Sequence, residues 1–401
     1  MADRVILHCD LNCFFASVEL LRYPALRDVP VAVCGDPESR HGIVLAKNEA
    51  AKQLGVKTAE TIWQARQKAP HLITLPPHHG LYREYSQKVN AIYGQYTDLV
   101  EPFGIDESWL DITGSMHLFG GDGKAIADQL RQRLREELGL TISVGVSFNK
   151  VFAKLGSDYK KPDAVTVIDT ENFRRIVWPL PVNTLLYVGR SAQNTLAGLG
   201  VRNIGQLAAA KDEDLRAALG KLGPELGAYA RGEENSPVRT ADERPEIKSV
   251  GNGLTFKRNL VGEADVRAGL YALADEVATR LRAHGLYAAA VQVLIKNPDL
   301  KSISRQKPLP WPSHLAREIG GPGAGKSQLE PGRAHPHAHG YGAEPDGRTR
   351  GTPALTAGAG ASPERKTGTA GTEPGRHPQK IRQDLHRPGQ RHQKRYWPGG
   401  H

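Results

Sequence analysis

The sequence predicts an α+β multidomain chain, and three observations predict it. Residues 1–168 alternate short apolar runs with segments of helical periodicity, around what reads as one sheet. Residues 169–235 carry short helical patterns broken by Gly and Pro. From residue 247 the pattern is strand, helix, strand, strand, and it stops after 319.

In order along the chain, residues 5–9 are an apolar run ending at Asp10 and read as a buried strand. Phe14, Val18 and Leu21 then recur at helical spacing until Pro24 stops the helix. Residues 29–34 read as a second strand, 49–54 as a helix ending at Gly55, and 59–69 as a helix ended by Pro70. Tyr85, Val89, Ile92, Tyr93 and Tyr96 mark a helix over 82–96. Residues 99–105 and 108–112 look like two strands joined at Asp106-Glu107. Ile126, Leu130, Leu134 and Leu138 share one helical face, with Gly139 as the stop. Ile142, Val144, Val146 and Phe148 alternate as a strand. Residues 236–246 read as a linker, followed by strand 249–259, helix 264–284, strands 288–296 and 301–307, and a helix starting near Ser313.

Composition narrows the class. The chain has 401 residues, 39% hydrophobic and 24% charged, with no run of 18 apolar residues, so no membrane span is expected. The N-terminal apolar run is interrupted by His8 and does not read as a signal peptide. Cys9, Cys13 and Cys34 lack metal-ligand spacing and fit a reducing cytoplasm. Net charge is +10, of which residues 321–401 carry +7, so the body is only mildly basic. That tail holds 16 Gly and 10 Pro but four residues from Leu, Ile, Val and Phe, too few to offset chain entropy. Residues 320–401 are therefore expected to be disordered, and their Gly, Pro, Arg, His and Ala content matches GC-rich codons read out of frame. On that reading a frameshift deprives the last small domain of its final strand.

Asp106 and Glu107 sit between two apolar stretches in E-P-F-G-I-D-E-S-W-L-D-I. A solvated turn is one reading. If Asp10 lies on a neighbouring strand, three carboxylates converge, and hard cations such as Mg2+ relieve their repulsion. Here D-L-N-C-F-F-A-S-V-E at 10–19, G-I-D-E-S-W-L-D at 104–111 and V-G-V-S-F-N-K-V-F-A-K-L-G-S-D-Y-K-K-P at 144–162 resemble, in order and spacing, three motifs of the Y-family DNA polymerases of the DNA polymerase IV kind. The resemblance covers residues 3–319.

It implies a right-hand polymerase with a palm (1–20 and 78–168), fingers (21–77), a helix-hairpin-helix thumb (169–235), a linker (236–246) and an incomplete little-finger domain (247–319). It implies error-prone, template-directed addition of deoxynucleotides to a primer 3′-hydroxyl, without proofreading, in translesion synthesis and DNA repair. Asp10, Asp106 and Glu107 would be catalytic and, with the main-chain carbonyl of Leu11, hold two Mg2+ ions; Asp111 is read as structural. Phe15 would be the steric gate against a 2′-hydroxyl, and Lys161 would reach the triphosphate. Where many relatives carry Y-x-A-R, this chain has Glu49-Ala50-Ala51-Lys52; Lys52 can stand for the Arg without its bidentate geometry, and Glu49 cannot stand for the Tyr.

For primer–template DNA, residues 182–207 resemble the thumb hairpin, with Gly189 opening a helix and Tyr187 in place of the first glycine of G-x-G. Lys257, Arg258, Lys301, Arg305 and Lys307 are expected to give a basic sheet face. A monomer is expected, and no sliding-clamp peptide is evident. G-G-P-G-A-G-K-S at 320–327 matches a P-loop formally, but lacks a preceding strand and a following helix. Two other readings stay open: a non-catalytic DNA-binding remnant, and a nucleotide cyclase, against which the thumb hairpin and basic sheet argue.

Overall fold

The computed structural model of the chain describes residues 4–36, 42–241, 243, 247–297 and 299–321, and the backbone of 335–345. From the N-terminus, β1 (Ile6–Leu11) leads through the helix Phe14–Arg22 to β2 (Val31–Cys34) and β3 (Val44–Lys47). Helices Glu49–Gln53 and Ile62–Lys68 precede β4 (Ile73–Leu75). The helix His79–Tyr93 returns the chain to β5 (Val100–Pro102) and β6 (Glu107–Asp111). Helix Gly123–Leu138, β7 (Ile142–Ser147), helix Lys150–Tyr159 and β8 (Val165–Ile168) follow.

These strands make two sheets, ordered β5-β6-β1-β7-β8 and β3-β2-β4. In the first, β1 is central and antiparallel to both β6 and β7. Strand alternation turns Leu7, Cys9 and Leu11 to one face, where they pack with Tyr82 and Val89 and with the expected stripe Ile126, Leu130 and Leu134. Ile6, His8 and Asp10 take the other face. Among the residues described there is Gly145, opposite His8, which seats the helix Lys150–Tyr159 directly on the sheet. A Cβ on Gly145 would stand 1.8 Å from the Ala153 carbonyl oxygen, so that helix has to move if one is added. Gly145→Ala is expected to destabilise the protein by about 3 kcal/mol, seen as a lower urea midpoint; an unchanged midpoint would refute the close packing. In the second sheet, buried Asn48 caps the helix Glu49–Gln53 through Ala51 N–H at 3.0 Å and also accepts Val31 N–H at 3.0 Å.

The helical segment packs Val182, Leu196, Ile204, Leu207, Leu215 and Leu226 into its own core with Phe152. Helix Arg190–Gly198 begins at Gly189, and Tyr187 adopts φ +68°, a left-handed conformation that favours glycine. The following linker is not free throughout. Val238 is buried against Ile6, Trp109 and Ala153. Arg239 donates from its amide and its guanidinium to buried Glu101 at 3.0 and 2.9 Å, and Lys150 donates to the same carboxylate at 2.7 Å.

The third sheet contains β9 (Val250–Leu260), β10 (Ala288–Lys296), β11 (Ser302–Ser313) and β12 (His335–Pro345), in the order β11-β10-β12-β9. Helix Gly262–Ala283 covers it through Val266, Leu270, Leu273, Val277 and Leu281. Two expectations are corrected here. Residues 320–401 do contain a strand, β12, which fills the gap between β9 and β10. A strand flanked on both sides is held by backbone pairing, which needs no apolar composition; its ladder with β9 shifts register between His335 and His337, around Pro336, which cannot donate. Residues 322–334 and 346–401, including most of the expected disordered tail and of the P-loop match, lie outside the described residues; a helix, Ala316–Ile319, precedes that match.

The second correction concerns the basic face. Buried Val291 and Val293 pair with Lys307 and Arg305, and direct cross-strand partners share a face. Arg305 and Lys307 thus lie on the helix side, at the exposed edge strand. Lys301 precedes β11, in a turn where its N–H donates to Asn297 Oδ1 at 2.8 Å. Arg258 pairs with Asp265 of the covering helix at 2.7 Å, and its neighbour Lys257 points to the opposite face, which Lys296 shares by strand parity with Gln292 and Leu294. The five residues do not form one face, because strand parity and the covering helix divide them.

Candidate active site

The register of the first sheet brings the three acids together. Asp10 pairs with Glu107 across β1 and β6, and Leu11 N–H donates to the Asp106 carbonyl at 2.9 Å. The chain turns sharply after β1 through Cys13, at φ +51°, which starts the helix carrying Phe14 and Phe15. Asn12 ties this turn to β7, accepting the Ser143 hydroxyl at 2.9 Å. Asp10, Leu11, Phe15, Asp106 and Lys161 all line a cleft of about 530 Å³ whose other wall is Leu45, Ala46, Lys47, Glu49, Lys52 and Thr58 of the second sheet and its helix.

The carboxylates differ in their partners. Asp10 is held by Lys161 Nζ at 2.7 Å, and Lys161 also reaches Asp158 at 2.6 Å. Burial pushes Asp10 above the ordinary carboxylate value against the pull of Lys161. Burial, followed by the charges of Asp10 and Glu107, pushes Asp106 up, and among the described residues Asp106 alone of the three has no ion-pair partner. Burial would raise Glu107 too, but the adjacent His8 and the hydrogen bond from Lys154 outweigh it and hold this carboxyl at about 2. His8 is fully buried, its Nε2 3.3 Å from Glu107 and its Nδ1 2.8 Å from Ser157 Oγ. Uncompensated negative charge is thus concentrated on Asp106, beside the Lys161-paired Asp10, and both offer oxygen donors that suit a hard divalent cation. Among the described residues no group of three or more His, Cys, Asp or Glu side chains is placed to hold a metal ion by itself, and Lys161 and Lys154 each pair with one of the three acids.

Phe14 is core, 3% exposed. Phe15 faces the cleft and stacks on Tyr82, centroids 4.1 Å apart and planes 12° apart. Tyr82 in turn donates to buried Glu19 at 2.6 Å, so the Phe15 ring rests on an anchored support. Lys52 lines the cleft and is tied to Glu49 at 3.2 Å, and Glu49 also accepts from Cys13 Sγ at 3.3 Å. Burial, then Glu49, push the Cys13 thiol up to about 12, so it is no nucleophile at neutral pH. Gly189 opens its helix with nothing within 4 Å of where its Cβ would be. Sequence reasoning missed His8, Lys154, Tyr82 and Lys47. Lys154 stood inside the third motif, and His8 two residues before Asp10.

The fold matches solved Y-family polymerases. A Y-family DNA polymerase chimera of Dbh and Dpo4 superposes with a TM-score of 0.72 at 24% identity, covering 85% of this chain and 98% of that one. DinB from Sulfolobus solfataricus gives 0.57 at 23% identity over the same shares. The fold is therefore that of the Y-family DNA polymerases. The sequence matches the impB/mucB/samB family over residues 9–158 and that family's C-terminal domain over 247–321. It is 52% identical over 316 residues to DNA polymerase IV of Acetivibrio thermocellus, 79% of each chain, and 40% identical over 319 residues to that of Moorella thermoacetica, again 79% of each. DNA polymerase IV 1 of Bacillus subtilis is 38% identical over 79% of this chain and 76% of its own. The chain belongs to the DNA polymerase IV group of the Y family. It is a DNA-directed DNA polymerase, which removes the cyclase reading. Among the described residues no helix is long and apolar enough to cross a membrane.

Proposed function

We propose that the chain adds deoxynucleotides to a primer 3′-hydroxyl on a DNA template by a two-metal mechanism, error-prone and without proofreading, as in translesion synthesis and repair. The observation that carries this is the placement of Asp10 and Asp106 at the cleft, both pushed up by burial and facing Lys161. Asp10 and Asp106, with Glu107 and the Leu11 carbonyl, would hold two Mg2+ ions. Bound there, Mg2+ supplies positive charge that favours the 3′-alkoxide and the pyrophosphate leaving group. Lys161 is a ready counter-charge for the triphosphate once Asp10 is otherwise engaged. Lys154 and His8 keep Glu107 ionised and oriented. Phe15 excludes the 2′-hydroxyl, and Lys52 stands on the fingers side.

In this reading residues 1–20 and 78–168 act as palm, 21–77 as fingers, 169–235 as thumb and 247–319, with β12, as little finger. Gly189 meets a DNA phosphate with the free N–H groups of its helix. The open face of the third sheet, with Lys257, follows the duplex backbone, and Arg305 and Lys307 contribute from its edge. Primer extension by the full chain on a primed template with Mg2+ tests the proposal. Template-matched addition, with no removal of a mismatched terminus, is the expected result. DNA binding without any addition would instead support the non-catalytic remnant.

A further inference from the structure

We propose that Lys47, which none of the three motifs contains, binds the triphosphate of the incoming nucleotide and is the net positive charge of the fingers wall. The inference rests on reading the cleft as the nucleotide site. Three ammonium groups line that cleft: Lys47, Lys52 and Lys161. Two of them are already matched by carboxylates. Lys161 sits between Asp10 and Asp158. Lys52 is tied to Glu49, three residues earlier on the same short helix, at 3.2 Å. The Glu49–Lys52 pair therefore brings no net charge to the fingers wall, and its carboxylate repels an anionic ligand.

Lys47 differs. Among the described residues no carboxylate lies within 4 Å of its ammonium, which donates to the Thr58 hydroxyl at 3.0 Å. Thr58 lines the same cleft, so this neutral acceptor holds the ammonium at the wall and leaves its charge uncompensated. The stem is fixed as well. Lys47 ends β3, paired with Ala32 of β2, and the next residue is the buried cap Asn48. An ammonium held at a cleft wall with donor capacity to spare suits a phosphate oxygen.

The test uses the full chain carrying Lys47→Met or Lys47→Arg, in single-nucleotide incorporation and in direct deoxynucleotide binding to a complex with a dideoxy-terminated primer. Lys47→Met is expected to raise KM for the deoxynucleotide about tenfold, the scale of one charge-assisted hydrogen bond, with DNA affinity unchanged, and to weaken deoxynucleotide binding in parallel. Lys47→Arg restores both, because it keeps the charge. Unchanged KM with weakened DNA binding would assign Lys47 to the template backbone and overturn the proposal, as would no change in either. A wild-type chain that extends no primer takes down the reading of the cleft, and this proposal with it.

Discussion

Asp106→Ala leaves DNA binding in place and lowers nucleotide addition by about 10³-fold or more, the scale of losing a preorganised electrostatic group. Asp106 is the one acid of the three without a cationic partner among the described residues, so no neighbouring side chain substitutes for it. The same position makes a second, opposite expectation. Burial and the neighbouring acids raise its folded-state pKa above the unfolded value. Its ionisation therefore costs folding stability at every pH above the ordinary carboxylate range, and nothing below it. Asp106→Asn, which cannot ionise, is expected to raise the Tm of the metal-free protein at neutral pH, and the gain is expected to vanish as pH falls below that range. Near-wild-type extension by the Ala variant would remove Asp106 from the chemistry, and a lower Tm for the Asn variant would remove the electrostatic argument.

Phe15→Ala admits ribonucleotides, raising the ratio of ribonucleotide to deoxynucleotide incorporation by about 10²-fold. The expectation rests on rigidity as much as on position. The ring stacks on Tyr82, and Tyr82 is anchored to fully buried Glu19, which also accepts from His78 at 2.8 Å. A ring so backed cannot swing aside for a 2′-hydroxyl, whereas Ala leaves that volume open. Incorporation of each nucleotide, measured in competition, decides it; an unchanged ratio would make Phe15 a core residue only.

Much of the first sheet and of the acid cluster was legible in the residues. Periodicity is local, so the stripe Ile126, Leu130 and Leu134 and the strand ending at Asp10 could be read directly. The short strands β3, β4 and β8 went unread, and the helix Lys150–Tyr159 was hidden inside a motif. β12 was missed because its strand character comes from two flanking partners and not from its own composition.

By itself the sequence determined the kind of protein this is: the ordered motifs around Asp10, Asp106-Glu107 and Lys161 carry the chemistry, and apolar spacing makes the elements that bear them. Only the tertiary structure decided how charges are matched within that set. Lys154 claims Glu107, Lys161 claims Asp10, Asp106 stands apart, and Arg258 is spent on Asp265 while Lys47 stays uncompensated in the cleft. The reason is that charge pairing depends on distances between residues far apart in the chain, set by sheet register and helix seating, which no local pattern encodes.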